Sequence, residues 1–328
     1  MTPRRTAQPV WIEPMLAVLT RDRFSDSKWI FEPKLDGVRC LAYVRRGRGR
    51  GGARVRLLSR NRKPLDGAYP EVAEALATAE HDMVLDGEIV ALSGGVSSFE
   101  RLQQRLGKHD PVAARASGIR IHYYVFDILH LDGQDLRRAP FAERKRALKA
   151  SLSEAGPVRL TPHRRTAGEA YYEAACRRGM EGVIAKRLDA PYRAGRSDDW
   201  LKFKCVNEQE FVIGGWTDPE GSRTGFGALL AGYYEDGVLR YAGKVGTGYD
   251  AATLDRLAAR LRKLERKTSP FDDFARDRLF IHWAKPVLVA QLGFQEWTAK
   301  GLLRQPRFLG LRDDKAASAV IRERPRPR

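Results

Sequence analysis

Strand-length apolar segments recur along almost the whole chain, and no other feature restricts the fold so strongly. Residues 29–32, 38–44, 55–58 and 84–92 each read as a strand, set off by Gly, Asp and Pro turn signals. Residues 119–129 alternate apolar and polar at first, then run almost wholly apolar, as a buried strand does. Residues 141–152 and 167–178 instead show helical spacing with basic outer faces, and short strands follow at 183–186 and 200–204. The mixture predicts an α+β domain. No apolar run approaches the roughly 20 residues of a membrane-spanning helix.

Composition shifts after Lys204. Residues 211–216 and 229–242 read as strands, the latter a hairpin turning at Asp236-Gly237. Residues 251–267 read as a single amphipathic helix with Leu254, Leu257, Ala258, Leu261 and Leu264 on one stripe, and strand character returns at 287–297. Short strands interrupted by one helix suit a small Greek-key barrel of the OB type. The expected division is therefore 1–206 and 207–328, which agrees with about 150 residues per domain. Residues 45–56, rich in Gly and Arg, read as an exposed basic finger, and no internal repeat is present.

Lys and Arg number 59 against 41 Asp and Glu, a net charge of +18, while 43% hydrophobic residues and six tryptophans exclude a disordered basic tail. A folded chain so basic attracts polyanions, nucleic acid first among them. Residues 1–9 are polar and lack the apolar core of a secretory leader, which points to the cytoplasm. Cys40, Cys176 and Cys205 lie far apart without a Cys-x-x-Cys spacing, which argues against a disulfide framework or a zinc finger.

Several residues could carry chemistry. Lys34, in Glu32-Pro33-Lys34-Leu35-Asp36-Gly37, stands just before a tight Asp-Gly turn between two strands. Alone, such a motif marks a hairpin with a surface lysine; a lysine becomes a nucleophile only when desolvated or placed near other cations. Asp86 and Glu88 share one face of the apolar strand 84–92, where they need a core cation, a metal ion or a hydroxyl partner. Glu181 and Lys186 bracket another short strand. Trp200, Lys202 and Lys204 share one strand face with Leu201 and Phe203 on the other, and paired lysines there suit a phosphate. A lysine to attack, carboxylates for a metal and lysines for phosphate are the equipment of nucleotidyl transfer. No Gly-x-x-x-x-Gly-Lys-Ser/Thr loop occurs, which excludes an ordinary P-loop ATPase.

In order, Lys-x-Asp-Gly (34–37), Ser-Arg-Asn (59–61), Asp-Gly-Glu (86–88), Phe-Asp (126–127), Glu-Gly-Val-Ile-Ala-Lys (181–186) and Trp-Leu-Lys-Phe-Lys (200–204) resemble the covalent nucleotidyltransferases. Within that superfamily the chain is most similar to the ligase module of bacterial non-homologous end-joining DNA ligases. Residues 210–216, 241–248, 296–298 and 310–315 carry that narrower likeness. The resemblance implies an ATP-grasp-like nucleotidyltransferase domain with antiparallel sheets, followed by a C-terminal OB-fold barrel. It implies ATP as AMP donor, Mg²⁺ or Mn²⁺ as metal, and broken duplex DNA as substrate for a monomer, with a Ku-like protein delivering the ends.

Lys34 then resembles the nucleophile that takes AMP. Glu32, Arg39, Arg60, Glu88, Phe126 and Lys186 resemble nucleotide-binding residues, Phe126 stacking on adenine. Glu181 resembles the metal-binding glutamate, with Glu88 beside it, and Lys202 and Lys204 resemble α-phosphate ligands. Arg312 and Lys315 resemble the residues that orient the departing pyrophosphate. Gln291 departs from the glutamate expected at its position. Two alternatives stand beside this reading: an RNA ligase or capping-type enzyme using the same lysine, and a catalytically dead basic nucleic-acid binder.

Overall fold

The computed structural model describes residues 6–47, 52–105, 107–219, 221, 224–274 and 280–326. The tip of the expected basic finger, residues 48–51, lies outside these, as do the last two residues of the basic tail. Two compact units are present, Met1–Cys205 with Arg324–Arg328, and Val206–Glu323. Among the described residues no helix is long and apolar enough to cross a membrane.

The first unit is built on two sheets. One runs β1 (Met15–Leu19), β8 (Gly195–Lys204), β7 (Gly182–Arg187), β2 (Trp29–Pro33), with Arg164–Arg165 at its far edge. The other runs β4 (Arg54–Ser59), β3 (Val38–Arg45), β5 (Met83–Ser93), β6 (Ile121–Leu131). Alternation sorts their side chains into three cores. Val38, Cys40, Ala42, Leu85, Tyr123 and Val125 pack on the outer face of the second sheet, Phe31, Val183, Ala185, Leu201 and Phe203 on that of the first. Between the sheets lie Met15, Leu41, Tyr43, Phe126, Tyr192 and Trp200. Helix α1 (Pro70–Leu76) and α2 (Phe141–Ser151) flank the second sheet, and α3 (Gly168–Arg177) covers the first.

Two sequence expectations change here. Residues 29–44 are not a hairpin, because β2 and β3 belong to different sheets and the Lys34–Gly37 segment crosses from one to the other. Gly37 is what permits the crossing: a Cβ there would stand 2.1 Å from the Ile89 carbonyl oxygen. The cysteines also depart from the expectation, since Cys176 at the end of α3 is disulfide-bonded to Cys205, with Cα atoms 5.2 Å apart. Separation along the chain says nothing about distance once α3 lies on the sheet ending at Cys205. Closing a 29-residue separation contributes about 3.6 kcal/mol on the chain-entropy scale. Urea unfolding of the oxidised protein and of Cys176→Ser is expected to differ by about that amount, and the two should coincide under reductant.

The second unit is a curled antiparallel sheet with order β11 (Val238–Val245), β10 (Leu229–Glu235), β9 (Asn207–Thr217), β12 (Ile281–Phe294), and β13 (Arg307–Leu311) pairs with β12. The β10–β11 turn has positive φ at both Asp236 and Gly237. Helix α4 (Ala251–Arg262) is capped by the Asp250 side chain, which accepts from the Thr253 N–H, and buries Leu257, Ala258 and Leu261. It ends earlier than residue 267, because Glu265 and Arg266 pair with β12 and need extended backbone.

His282 stacks on Trp216 and bonds Glu265 through Nδ1 (2.8 Å) and Asp218 through Nε2 (2.9 Å). The hydrogen bond to Glu265, aided by Asp218, raises its pKa against a smaller opposing burial effect. The protonated ring therefore stabilises the fold fully below the unfolded value of about 6.5. That contribution disappears as pH rises through the higher folded value. The thermal-midpoint gap between wild type and His282→Ala is expected to be wider at pH 5.5 than at pH 8.5; equal gaps would exclude the charge effect.

Candidate active site

The cleft between the two sheets of the first unit is lined by alternate residues of β2, β7 and β8, and the register sets them in rows. Ile30, Lys186 and Trp200 form one row, Glu32, Ile184 and Lys202 the next, and Gly182 with Lys204 the third, beside Lys34. Lys34 lies just past β2, its N–H donating to the Gly182 carbonyl at 2.9 Å. Gly182 is required there, since a Cβ would stand 1.9 Å from the Phe203 carbonyl oxygen. The Lys34 ammonium pairs with Glu181, both largely buried. The Asp36 carboxylate accepts from the Phe99 N–H at 3.2 Å, which ties the crossing segment to the start of the short helix Phe99–Gln103 that packs on β5.

The two carboxylates of β5 divide the roles that one strand face suggested. Asp86 is fully buried and accepts a bidentate pair from Arg39, Nε to Oδ1 at 2.5 Å and Nη2 to Oδ2 at 2.7 Å. Tyr192 donates its hydroxyl to the same carboxylate at 2.6 Å, and burial with Asp86 raises that phenol well above its usual pKa. Glu88, opposite Arg39 in the β3–β5 register, is only half-buried and keeps the cleft position.

Phe126 is buried on the cleft side of β6, with Lys186 Nζ 3.9 Å and Arg39 Cζ 4.6 Å from its ring centroid. Lys186 is buried too, 2.7 Å from Glu32 Oε2 and 4.1 Å from the Trp200 ring. Burial pushes its pKa down to about 8 against the pull of Glu32. Glu32 is buried between two ammonium groups, Lys186 and Lys145. Burial alone would raise its carboxyl; the charges of Lys145 and Lys186 override this and hold it below the ordinary range. Lys202 is buried and Lys204 half-buried along β8, and Arg60 is half-buried just past β4.

Lys34, Glu32, Arg39, Glu88, Phe126, Glu181, Lys186, Lys202 and Lys204 thus belong to elements that face one cleft. Arg312 and Lys315 belong to the second unit. Arg312 pairs with Asp314 at 2.9 Å, and Lys315 with Glu210 at 3.0 Å. Glu210 stands opposite Gln291 in the β9–β12 register, so the carboxylate that holds Lys315 comes from the neighbouring strand. A glutamate at 291 would set two like charges side by side. Sequence reasoning missed Lys145, Tyr192 and the Arg144–Asp127 pair; the basic face expected outside on 141–152 turns inward at Arg144 and Lys145, which lie on the stripe that Phe141 and Leu148 mark and find carboxylate partners in Asp127 and Glu32.

The chain matches the ATP dependent DNA ligase domain over residues 14–204 and the ATP dependent DNA ligase C terminal region over residues 222–315. It belongs to the ATP-dependent DNA ligase family. It is 38% identical over 330 residues to the multifunctional non-homologous end joining protein LigD of Pseudomonas aeruginosa, covering 98% of this chain and 38% of that protein. Identity to the LigD of Mycobacterium tuberculosis is 40% over 321 residues, covering 95% of this chain and 40% of the relative. The chain therefore spans about two fifths of these relatives. Among solved structures, a mycobacterial DNA ligase D complexed with ATP and MES matches with TM-score 0.66 and 37% identity, covering 94% of this chain and 98% of that one. The ligase fold, with mostly antiparallel sheets and a curled C-terminal region, is shared with it.

Proposed function

We propose that this ligase seals 3′-hydroxyl/5′-phosphate breaks in duplex DNA during end joining, through an AMP bound covalently to Lys34. The observation that carries the reading is Lys34 itself, fixed at the crossing between two sheets, paired with Glu181, in the row of Lys204 and one row from Lys202. The Lys34 amine attacks the α-phosphorus of ATP, a P–N bond forms, and pyrophosphate leaves. An oxygen of the DNA 5′-phosphate then attacks the same phosphorus, breaking the P–N bond and returning the amine. The 3′-hydroxyl finally attacks the DNA phosphorus, forming the phosphodiester and releasing AMP. Lys202 and Lys204 neutralise charge on the α-phosphate, Arg39 and Arg60 hold the nucleotide, and Phe126 takes one face of the base. Arg312 and Lys315 orient pyrophosphate in the first step.

Among the described residues no three His, Cys, Asp or Glu side chains stand together as a dedicated metal site needs. Mg²⁺ is usually held by one or two carboxylates together with substrate phosphates, and Glu181 and Glu88 supply that hard oxygen set, which suits Mn²⁺ equally. The metal would neutralise phosphate charge at the reacting centre. We further propose a monomer that acts in the bacterial cytoplasm, on the nucleoid when bound to DNA, receiving ends from a Ku-like protein. The +18 charge supports salt-sensitive contacts to DNA phosphates.

The test mixes the protein with α-phosphate-labelled ATP or GTP and either divalent ion, then chases with nicked DNA or nicked RNA. Label entering the protein from ATP and leaving for DNA is the expected result. Preference for GTP or RNA would favour the capping or RNA-ligase reading. No label, after pyrophosphate has stripped any resident AMP, would leave only a nucleic-acid binder.

A further inference from the structure

The cleft changes character along its strands. Lys34, Lys202, Lys204 and Glu181 make one end strongly polar, while Phe126, Trp200 and Phe141 surround Lys186 at the other. Alternate residues of a strand stand about 7 Å apart, so Glu32 lies one such step from Lys34 toward the aromatic end. A nucleotide whose α-phosphate meets Lys34 therefore directs its base toward Glu32. A buried ionised carboxylate only accepts hydrogen bonds, and the base edge it faces must donate.

Glu32 is held from both sides. Lys186 approaches Oε2 from within the sheet, whereas Lys145 reaches Oε1 from α2. The Lys145 Nζ is itself anchored by the carbonyls of Thr161 (3.4 Å) and Phe126 (3.5 Å). It thus ties the Glu32 carboxylate to the backbone of the strand that carries the stacking ring. Removing Lys145 leaves Glu32 its second partner, so the charge stays compensated while Oε1 loses its fixed direction.

We propose that Lys145 is a positioning residue that aims the Glu32 carboxylate and so selects a purine triphosphate bearing an exocyclic 6-amine. The proposal rests on Lys34 being the nucleotidyl acceptor.

The experiment measures covalent labelling of the full chain by α-phosphate-labelled ATP, GTP and purine riboside triphosphate, which lacks the 6-amine. Wild type, Lys145→Met, Lys145→Gln and Lys145→Arg are compared. Wild type should prefer ATP by about tenfold or more, the order expected from one buried hydrogen bond. Lys145→Met should lose most of that preference through a higher KM for ATP, with the amine-less analogue changed less than about threefold; Lys145→Arg should restore part of it. Lys145→Gln keeps donors for the two carbonyls without the charge, and should discriminate poorly while folding normally.

Equal losses for both nucleotides would make Lys145 merely structural, and an unchanged ratio in Lys145→Gln would equally overturn the proposal. The thermal midpoint of each variant, read without nucleotide or DNA, reports the folded fraction. Wild type labelled equally by ATP and the amine-less analogue would overturn the proposal while leaving Lys34 as acceptor. Wild type labelled by neither would remove the acceptor itself.

Discussion

Lys34→Ala is expected to abolish covalent AMP transfer, by about 10⁴-fold or more, the scale on which removing a covalent nucleophile acts. The protein should remain folded. Lys34 is not a core residue, and its substitution releases Glu181 into a cleft that also holds Lys202 and Lys204. Fold loss is therefore not an available explanation for inactivity, and an unchanged thermal midpoint would verify this. The three-step scheme makes a sharper demand. Only the first two steps use a bond to the lysine amine, so sealing of DNA that already carries 5′-AMP needs Lys34 only as a neighbouring charge. That last step should survive within about tenfold to a hundredfold in Lys34→Ala. Lys202→Ala should differ, because a phosphate ligand serves every step; a screened charge contact at the reacting phosphate supplies several powers of ten when pre-organised. Labelled ATP measures the first step and a pre-adenylated nick the last. Covalent labelling of Lys34→Ala at the wild-type level would end the scheme.

Much of this site was legible in residue order because its positions lie on strands, where alternation fixes which side chains share a face. Trp200, Lys202 and Lys204 separate from Leu201 and Phe203 as a period of two requires. Three kinds of information were not legible. Asp36-Gly37 reads as a hairpin turn because local chemistry cannot distinguish a turn within one sheet from a step between two; the deciding contact, Gly37 against Ile89, spans more than fifty residues. Arg144 and Lys145 fall on the stripe of α2 that Phe141 and Leu148 mark, but a charge reads as outward-facing until its buried partner is known, and the partners, Asp127 and Glu32, lie on distant strands. The disulfide depends on α3 lying against the end of β8, a tertiary fact with no trace in cysteine spacing. Helices as short as α1 escape for a simpler reason: seven residues span two turns, too few for a period to emerge.

Breaking the Arg144–Asp127 pair is expected to have the largest effect on stability. Both side chains are fully buried, joined by Nε to Oδ1 at 2.8 Å and Nη2 to Oδ2 at 2.9 Å. The remaining guanidinium donor reaches the carbonyls of Ala139 (2.7 Å) and Ala190 (3.1 Å), and Asp127 Oδ1 accepts from the Ile128 N–H at 2.9 Å. This cluster ties β6 to the start of α2 and to the segment after β7. Asp127→Leu would leave a guanidinium uncompensated in the core, a change that costs about 3–5 kcal/mol. In a unit of this size, that lowers the thermal midpoint by roughly 10 °C. Asp127→Leu with Arg144→Leu removes both charges at once, and should be more stable than Asp127→Leu alone, because the desolvation cost goes with the pair. Since Phe126 precedes Asp127 and the Phe126 carbonyl anchors Lys145, the single variant should also weaken ATP labelling at temperatures where it is still folded. Additive losses in the double variant would show that the pair acts as two independent contacts; recovery would show that the charge balance itself holds this end of β6 in place.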